Sequence, residues 1–365
     1  MGKSSLRRIA STLACALLLF PNTAMAAAQQ SQASATDTLP SGLVVVIENK
    51  AGQALDLQAL SNPFISGVAL QIRWRDIEPV EGTPDWSKLD QLFAAAESSQ
   101  KWVQLLIFPG FFSPPWALEG VKTEQFAIQY GPGTGTVARL PMPWDGVYLT
   151  RWFAFLKQLG ARYGKSQAFR VIAAAGPTSV SAEFTLPQKP EDIQKWLSAS
   201  YTPRKYIGAW QRVFQAVAAD FPNQYVSLSQ GNGLNINDRE KLDASERART
   251  KQAIVDEGIR LLGRRFAFQG SNLDGTAGPD RVGIEFVIGY NGQIVTGFQL
   301  RTSCVQNSGN MGAEGNPPLA LRRALDRGLK PNNAGHHVTY LEIYEPDVVA
   351  SEMQPVLRYG ASLFK

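Results

Sequence analysis

Two glutamates stand where they could share a reaction. Glu183 is the first acid after the run Val171-Ile172-Ala173-Ala174-Ala175, and Glu342 sits inside Tyr340-Leu341-Glu342-Ile343-Tyr344 near the C-terminus. Paired carboxylates let one group protonate a leaving oxygen while the other attacks carbon or activates a water. Glu345, next to Pro346, is the reserve for the second role. The rest of the 365-residue composition narrows the alternatives. The only histidines, His336 and His337, are adjacent, and there are two cysteines, so a zinc site of the usual ligand number has no residues to build it and no metal is expected. Walker A, G-x-G-x-x-G and G-x-S-x-G sequences are all missing, so no cofactor is expected and serine-nucleophile chemistry has no elbow to stand on.

The elements that must position these acids follow from periodicity. Short β-branched or aromatic runs alternate with amphipathic stretches, the rhythm of βα units and a parallel sheet. The pattern predicts eight strands: Leu43–Glu48, Val68–Trp74, Trp102–Phe108, Phe169–Ala175, Tyr225–Ser229, Arg265–Gln269, Val295–Arg301 and Val338–Tyr344. Helices are predicted over Trp86–Ser98, Trp144–Tyr163, Pro203–Phe221, Ala244–Leu262, Gly283–Tyr290, Pro317–Gly328 and Glu352–Phe364, with none in the gap from Asn49 to Gly67. Eight such units predict an α/β fold, a (β/α)8 TIM barrel with enlarged loops after strands 3 and 4, whose post-strand loops carry the active face. Residues 41–365 form this single domain.

Side-chain alternation along the strands turns Tyr340, Glu342 and Tyr344 inward, together with Gln71 and Arg73 of the second strand and Gln299 and Arg301 of the seventh. Arg73 and Arg301 are expected to pair with the Glu342 carboxylate and keep it ionised. Gln269, Gln299, Asn232 and Asn272 are candidates to bind hydroxyls, and Trp74, Phe112, Trp116, Trp144 and Tyr344 to stack on an apolar ligand face. The Phe111-Phe112-Ser113-Pro114-Pro115-Trp116 run is a dense aromatic loop, costly to expose without a partner. Each acid also has a structural reading: Glu183 as a solvated loop residue, and Glu342 as half of a buried Arg–Glu pair.

Gly67 to Pro79 (GVALQIRWRDIEP), followed by Gly82 and Asp85-Trp86-Ser87-Lys88-Leu89-Asp90, resembles the opening of retaining (β/α)8 glycoside hydrolases of the cellulase and β-galactosidase type. Ser113-Pro114-Pro115-Trp116 is similar to their loop after the third strand. The resemblance implies a carbohydrate substrate, a retaining mechanism, an acid/base Glu after the fourth strand, here Glu183, and a nucleophilic Glu late in the barrel, here Glu342. Two departures accompany it. Ala182 precedes Glu183 where those enzymes have Asn, and their nucleophile ends the seventh strand, where Val295–Arg301 has no acid. The alternative function is a non-catalytic carbohydrate-binding or matrix-assembly barrel with a degenerate site.

The first 26 residues read as a cleaved export signal. Lys3, Arg7 and Arg8 precede the apolar stretch Ile9–Phe20 and the small-residue site Thr23-Ala24-Met25-Ala26. The apolar stretch is shorter than the ~20 residues of a spanning helix, so no stable membrane anchor is expected. Residues 27–40 are expected to be a disordered linker. Cleavage removes three cations and no acid, so the formal charge of +5 becomes 33 − 31 = +2. No Lys/Arg run interleaved with aromatics remains to hold nucleic acid. Cys304 is then the only cysteine, too few for an internal disulfide. The mature chain is expected to be a periplasmic or secreted monomer.

Overall fold

The computed structural model describes residues 1, 38–129, 131, 133–176, 178, 182–278, 280 and 283–364. The expected signal peptide and most of the expected linker lie outside them. Contacts divide the chain into Met1–Ala33 and Ser34–Lys365, and everything below concerns the second unit.

The described residues form ten strands: β1 (Gly42–Glu48), β2 (Ile65–Arg73), β3 (Trp102–Phe108), β4 (Thr123–Ala127), β5 (Val137–Pro141), β6 (Phe169–Ala173), β7 (Tyr225–Ser229), β8 (Phe266–Leu273), β9 (Val295–Leu300) and β10 (Tyr340–Tyr344). Eight of them close a wholly parallel barrel in the order β1-β2-β3-β6-β7-β8-β9-β10, with β10 returning to β1. The fold is a (β/α)8 TIM barrel. β4 and β5 form a separate antiparallel hairpin in the connection after β3, where the sequence pattern predicts only a long loop.

Outer helices follow most strands, among them Ser87–Ser98, Gly146–Tyr163, Pro203–Asp220, Glu246–Leu262 and Pro317–Gly328. Their termini follow local chemistry. Asp145, Thr202 and Asn316 accept a hydrogen bond from the backbone N–H three residues on, relieving one of the unpaired donors of a first turn. Between β1 and β2 only a 3₁₀ turn, Gln58–Ser61, occupies the helical position. A further helix, Pro190–Ser198, lies in the connection after β6, where Asp192 accepts from the Lys189 N–H at 3.0 Å.

The barrel interior is layered. At its N-terminal end Trp102 and Tyr340 meet edge to face with ring centroids 5.9 Å apart. Two glycines make room for these rings. A Cβ on Gly67 would lie 2.5 Å from the Trp102 ring, and one on Gly297 would lie 2.3 Å from the Tyr340 ring. Above them comes a polar layer of Gln104, Ser227, Gln269 and Glu342, all fully buried. Above that the barrel opens.

Candidate functional site

A cavity of about 670 Å³ occupies the C-terminal mouth. Glu48, at the end of β1, and Glu183 both line it. Glu48 pairs in register with Gln71 on β2, and the next residue is tied down: the Asn49 N–H donates to the Gln71 carbonyl at 2.8 Å, and Asn49 Nδ2 donates to Asp76 at 2.9 Å. Glu183 forms an isolated parallel bridge with Ser229 at the end of β7. The adjacent Phe184 anchors it. That ring is buried against Trp210, its carbonyl accepts from Tyr206 Oη at 2.7 Å, and Gly231 packs so closely that a Cβ there would fall 2.7 Å from the Phe184 backbone.

Tyr344 stands within electrostatic reach of both acids. Gln71 Nε2 donates to Gln299 Oε1 at 3.3 Å, and Gln299 Nε2 donates to Tyr344 Oη at 2.7 Å, so β2, β9 and β10 are tied together across the mouth. Burial, then the negative charge of Glu48, and further the carboxylates of Glu342 and Glu183, hold the Tyr344 hydroxyl well above its ordinary range. It therefore stays protonated, a donor placed among three carboxyl groups.

Glu342 points inward, as alternation along β10 requires, but it lies below the cavity and does not line it. Its pKa is pushed up to about 8 because burial outweighs the nearby Gln269 and Gln104 amides. Tyr340 Oη and Gln104 Nε2 both donate to Gln269 Oε1, at 2.8 and 3.1 Å. That leaves Gln269 Nε2, Gln104 Oε1 and both Glu342 oxygens without partners. One proton on Glu342 matches this set, its O–H serving Gln104 Oε1 and its carbonyl oxygen accepting from Gln269 Nε2. The layer is thus complementary to a neutral acid.

The expected charge pairing is not the observed one. Arg301 reaches Asp274 at 3.5 Å, and the Arg73 guanidinium lies over the Phe112 ring with Cζ 4.6 Å from its centroid. Neither makes an ion pair with Glu342, which no cation approaches in its buried layer.

Of the other expected site residues, Arg73, Phe112, Asn272, Gln299, Arg301 and Tyr344 line the cavity. Gln269 is buried in the polar layer, and Asn232 is exposed and does not line the cavity. Glu345 starts the short helix Glu345–Val349 and does not line the cavity. Three tryptophans expected to stack on a ligand serve the packing instead. Trp74 is fully buried and opens a helical turn, Trp74–Ile77, which carries its ring outside the barrel against Trp116, Tyr148, Trp152 and Phe155. Its Nε1 donates to Glu78 at 2.9 Å, and Trp116 Nε1 donates to the Glu78 carbonyl at 3.1 Å. Trp144 packs on Trp196 and Tyr201.

Glu48 is the acid that sequence reasoning missed. In Gly-Leu-Val-Val-Val-Ile-Glu both faces of the strand are apolar, so alternation offered no contrast to mark the last residue as inward. Its place as the terminal strand residue before a loop was the available signal.

No protein-family model matches the chain. No curated protein matches it either. Among solved structures it is similar to an exo-β-1,4-mannosidase from Opitutaceae bacterium strain TAV5, with 14% identity and a TM-score of 0.43, over 83% of this chain and 51% of that one. It is also similar to xylanase B from Clostridium stercorarium F9, with 12% identity and a TM-score of 0.46, over 83% and 85% of the two chains. The chain thus spans about half the length of the mannosidase. Neither likeness bears on the reaction or the sugar.

Among the described residues no group of His, Cys, Asp and Glu could hold a metal ion, and no helix is long and apolar enough to cross a membrane. Cys304 is buried, with its thiol pushed up by burial and by Asp347.

Proposed function

We propose that this protein is a glycoside hydrolase in which Glu183 acts as general acid/base and Glu48 supplies the second carboxylate. The observation that carries this reading is that both acids open into one cavity at the C-terminal mouth, beside the protonated Tyr344 hydroxyl and the Phe112 ring. A carboxylic acid can protonate a glycosidic oxygen while a carboxylate attacks C1 or activates water. Gln299, Asn272 and Gln71 supply amides for hydroxyls at the same mouth. Glu342, the second carboxylate that the sequence pattern favoured, is assigned instead to the neutral layer beneath. The retaining course implied by the resemblance is read from the anomer of the first product by NMR.

A non-catalytic saccharide-binding barrel is the second reading. What favours it is Gln299, an amide at the mouth of the seventh barrel strand. A polysaccharide panel assayed for new reducing ends separates the two, using the unmodified protein with Glu183→Gln, Glu48→Gln and Glu342→Gln. Turnover lost in the first two variants and kept in the third supports the hydrolase. Binding without turnover in the unmodified protein supports the second reading. The hydrolase is further proposed to be exported, with cleavage after Ala26. N-terminal sequencing of the protein recovered outside the cytoplasm checks this.

A further inference from the structure

A second cavity of about 200 Å³ adjoins the first, sharing Arg73 and Phe112 with it and adding Arg75, Phe111 and Thr136. The two guanidinium groups share one aromatic platform: Arg73 Cζ lies 4.6 Å and Arg75 Cζ 5.3 Å from the centroid of the buried Phe112 ring. Stacking on a ring leaves the N–H edges of a guanidinium available for an in-plane acceptor. Among the described residues neither arginine forms an ion pair.

The acids closest in sequence are already engaged. Asp76 accepts from Asn49, and Glu78 accepts from Trp74 Nε1 and from the Gly82 N–H. Burial and then the neighbouring Arg73 charge lower the proton affinity of Arg75, and the charge of Asp76, the smallest of the three effects, only partly offsets them. Across the joined cavities the charged lining residues are Lys50, Arg73, Arg75 and Arg301 against Glu48 and Glu183, and with Arg301 paired to Asp274 three cations face two acids. The excess is cationic even with both proposed catalytic acids ionised.

We propose that the substrate is an anionic saccharide, with the carboxylate of a uronic acid unit held by Arg73 and Arg75 at the Phe112 end of the cavity. This rests on the carbohydrate reading above and adds the substrate class. The planar fork of each guanidinium matches a carboxylate by two parallel hydrogen bonds, and Phe112 fixes the planes of both forks beforehand. A neutral sugar would leave the two positive charges facing each other uncompensated.

Equilibrium binding to the full chain carrying Glu183→Gln tests the proposal without turnover. The probes are oligogalacturonate, a sulfated oligosaccharide and neutral xylo- and manno-oligosaccharides of matched length, at two salt concentrations. The uronate oligomer is expected to bind at least about tenfold more tightly than the neutral ones, less so at high salt, and Arg73→Gln and Arg75→Gln should each remove about tenfold of that preference. Arg264→Gln, at the opposite end of the barrel, should leave it unchanged, which separates site binding from general attraction of polyanions. Equal binding of neutral and uronate oligomers, insensitive to Arg75→Gln, overturns the proposal and leaves the carbohydrate reading standing. Preferential binding of the sulfated oligomer overturns the carboxylate assignment. If no oligosaccharide binds and none is cleaved, the carbohydrate reading falls and takes this proposal with it.

Discussion

Replacing Glu342 with glutamine should make the protein less sensitive to pH and more stable at neutral pH and above. The folded state holds the Glu342 proton up to about pH 8, whereas an unfolded chain releases it near the ordinary value of 4.5. Between those values the folded state binds the extra proton, so stability falls as pH rises. The penalty grows to about 3 kcal/mol at pH 7 and about 4 kcal/mol by pH 8, at 1.36 kcal/mol per pH unit. Glutamine cannot ionise, and its amide can still donate to Gln104 Oε1 and accept from Gln269 Nε2. One amide N–H is left without a partner, which costs about 1–3 kcal/mol at every pH. Urea unfolding of both proteins at pH 5, 6, 7 and 8 reads the difference directly. The gap between variant and wild type should move in the variant's favour by several kcal/mol from pH 5 to 8. A gap that stays constant, or moves the other way, would show that Glu342 is ionised in the folded protein and refute the neutral layer.

Other perturbations address separate parts of the molecule. Glu183→Gln and Glu48→Gln should each lower kcat by two orders of magnitude or more in the reducing-end assay while leaving urea midpoints within ~0.5 kcal/mol, because both side chains open on the cavity. Gly297→Ala should destabilise by about 1–3 kcal/mol in urea unfolding, since the new methyl group meets the Tyr340 ring and that ring is held by the bond to Gln269. Trp74→Phe should cost about 1–3 kcal/mol by removing the donor to buried Glu78, with the loss easing at low pH as that carboxyl, already raised by burial, takes up a proton.

Much of the barrel could be read from the chain because each barrel strand is a short apolar run bounded by turn residues. Trp102–Phe108 and Tyr225–Ser229 have the expected limits, and Glu342 stands on the eighth barrel strand as counted. Alternation gives the direction of a side chain but not its depth. Tyr340, Glu342 and Tyr344 all point inward, yet the first lies in the floor, the second in a closed layer and only the third at the mouth. Depth depends on how neighbouring strands are staggered, and that pairing is set by residues far away in sequence. Trp74 failed for another reason: the strand ends one residue before it, and the helical turn that follows sends its ring outward. The β4–β5 hairpin was hidden by the glycines between its strands, which read as plain loop, although Thr123 and Phe126 in one strand and Val137 in the other are strand formers.

The meeting of Trp102 and Tyr340 over two glycines also governs traffic. With two aromatic rings packed across the N-terminal end, the cavity of the C-terminal mouth does not continue through the barrel. A polymer of the proposed kind could not thread through it and would have to lie across the rim, dipping one unit toward Glu48 and Glu183. Under the proposed function, selection among polymers would then fall to the rim, to the loop around Phe112 and the β4–β5 hairpin whose Thr136 and Ala138 line the adjoining cavity, and not to the strands beneath.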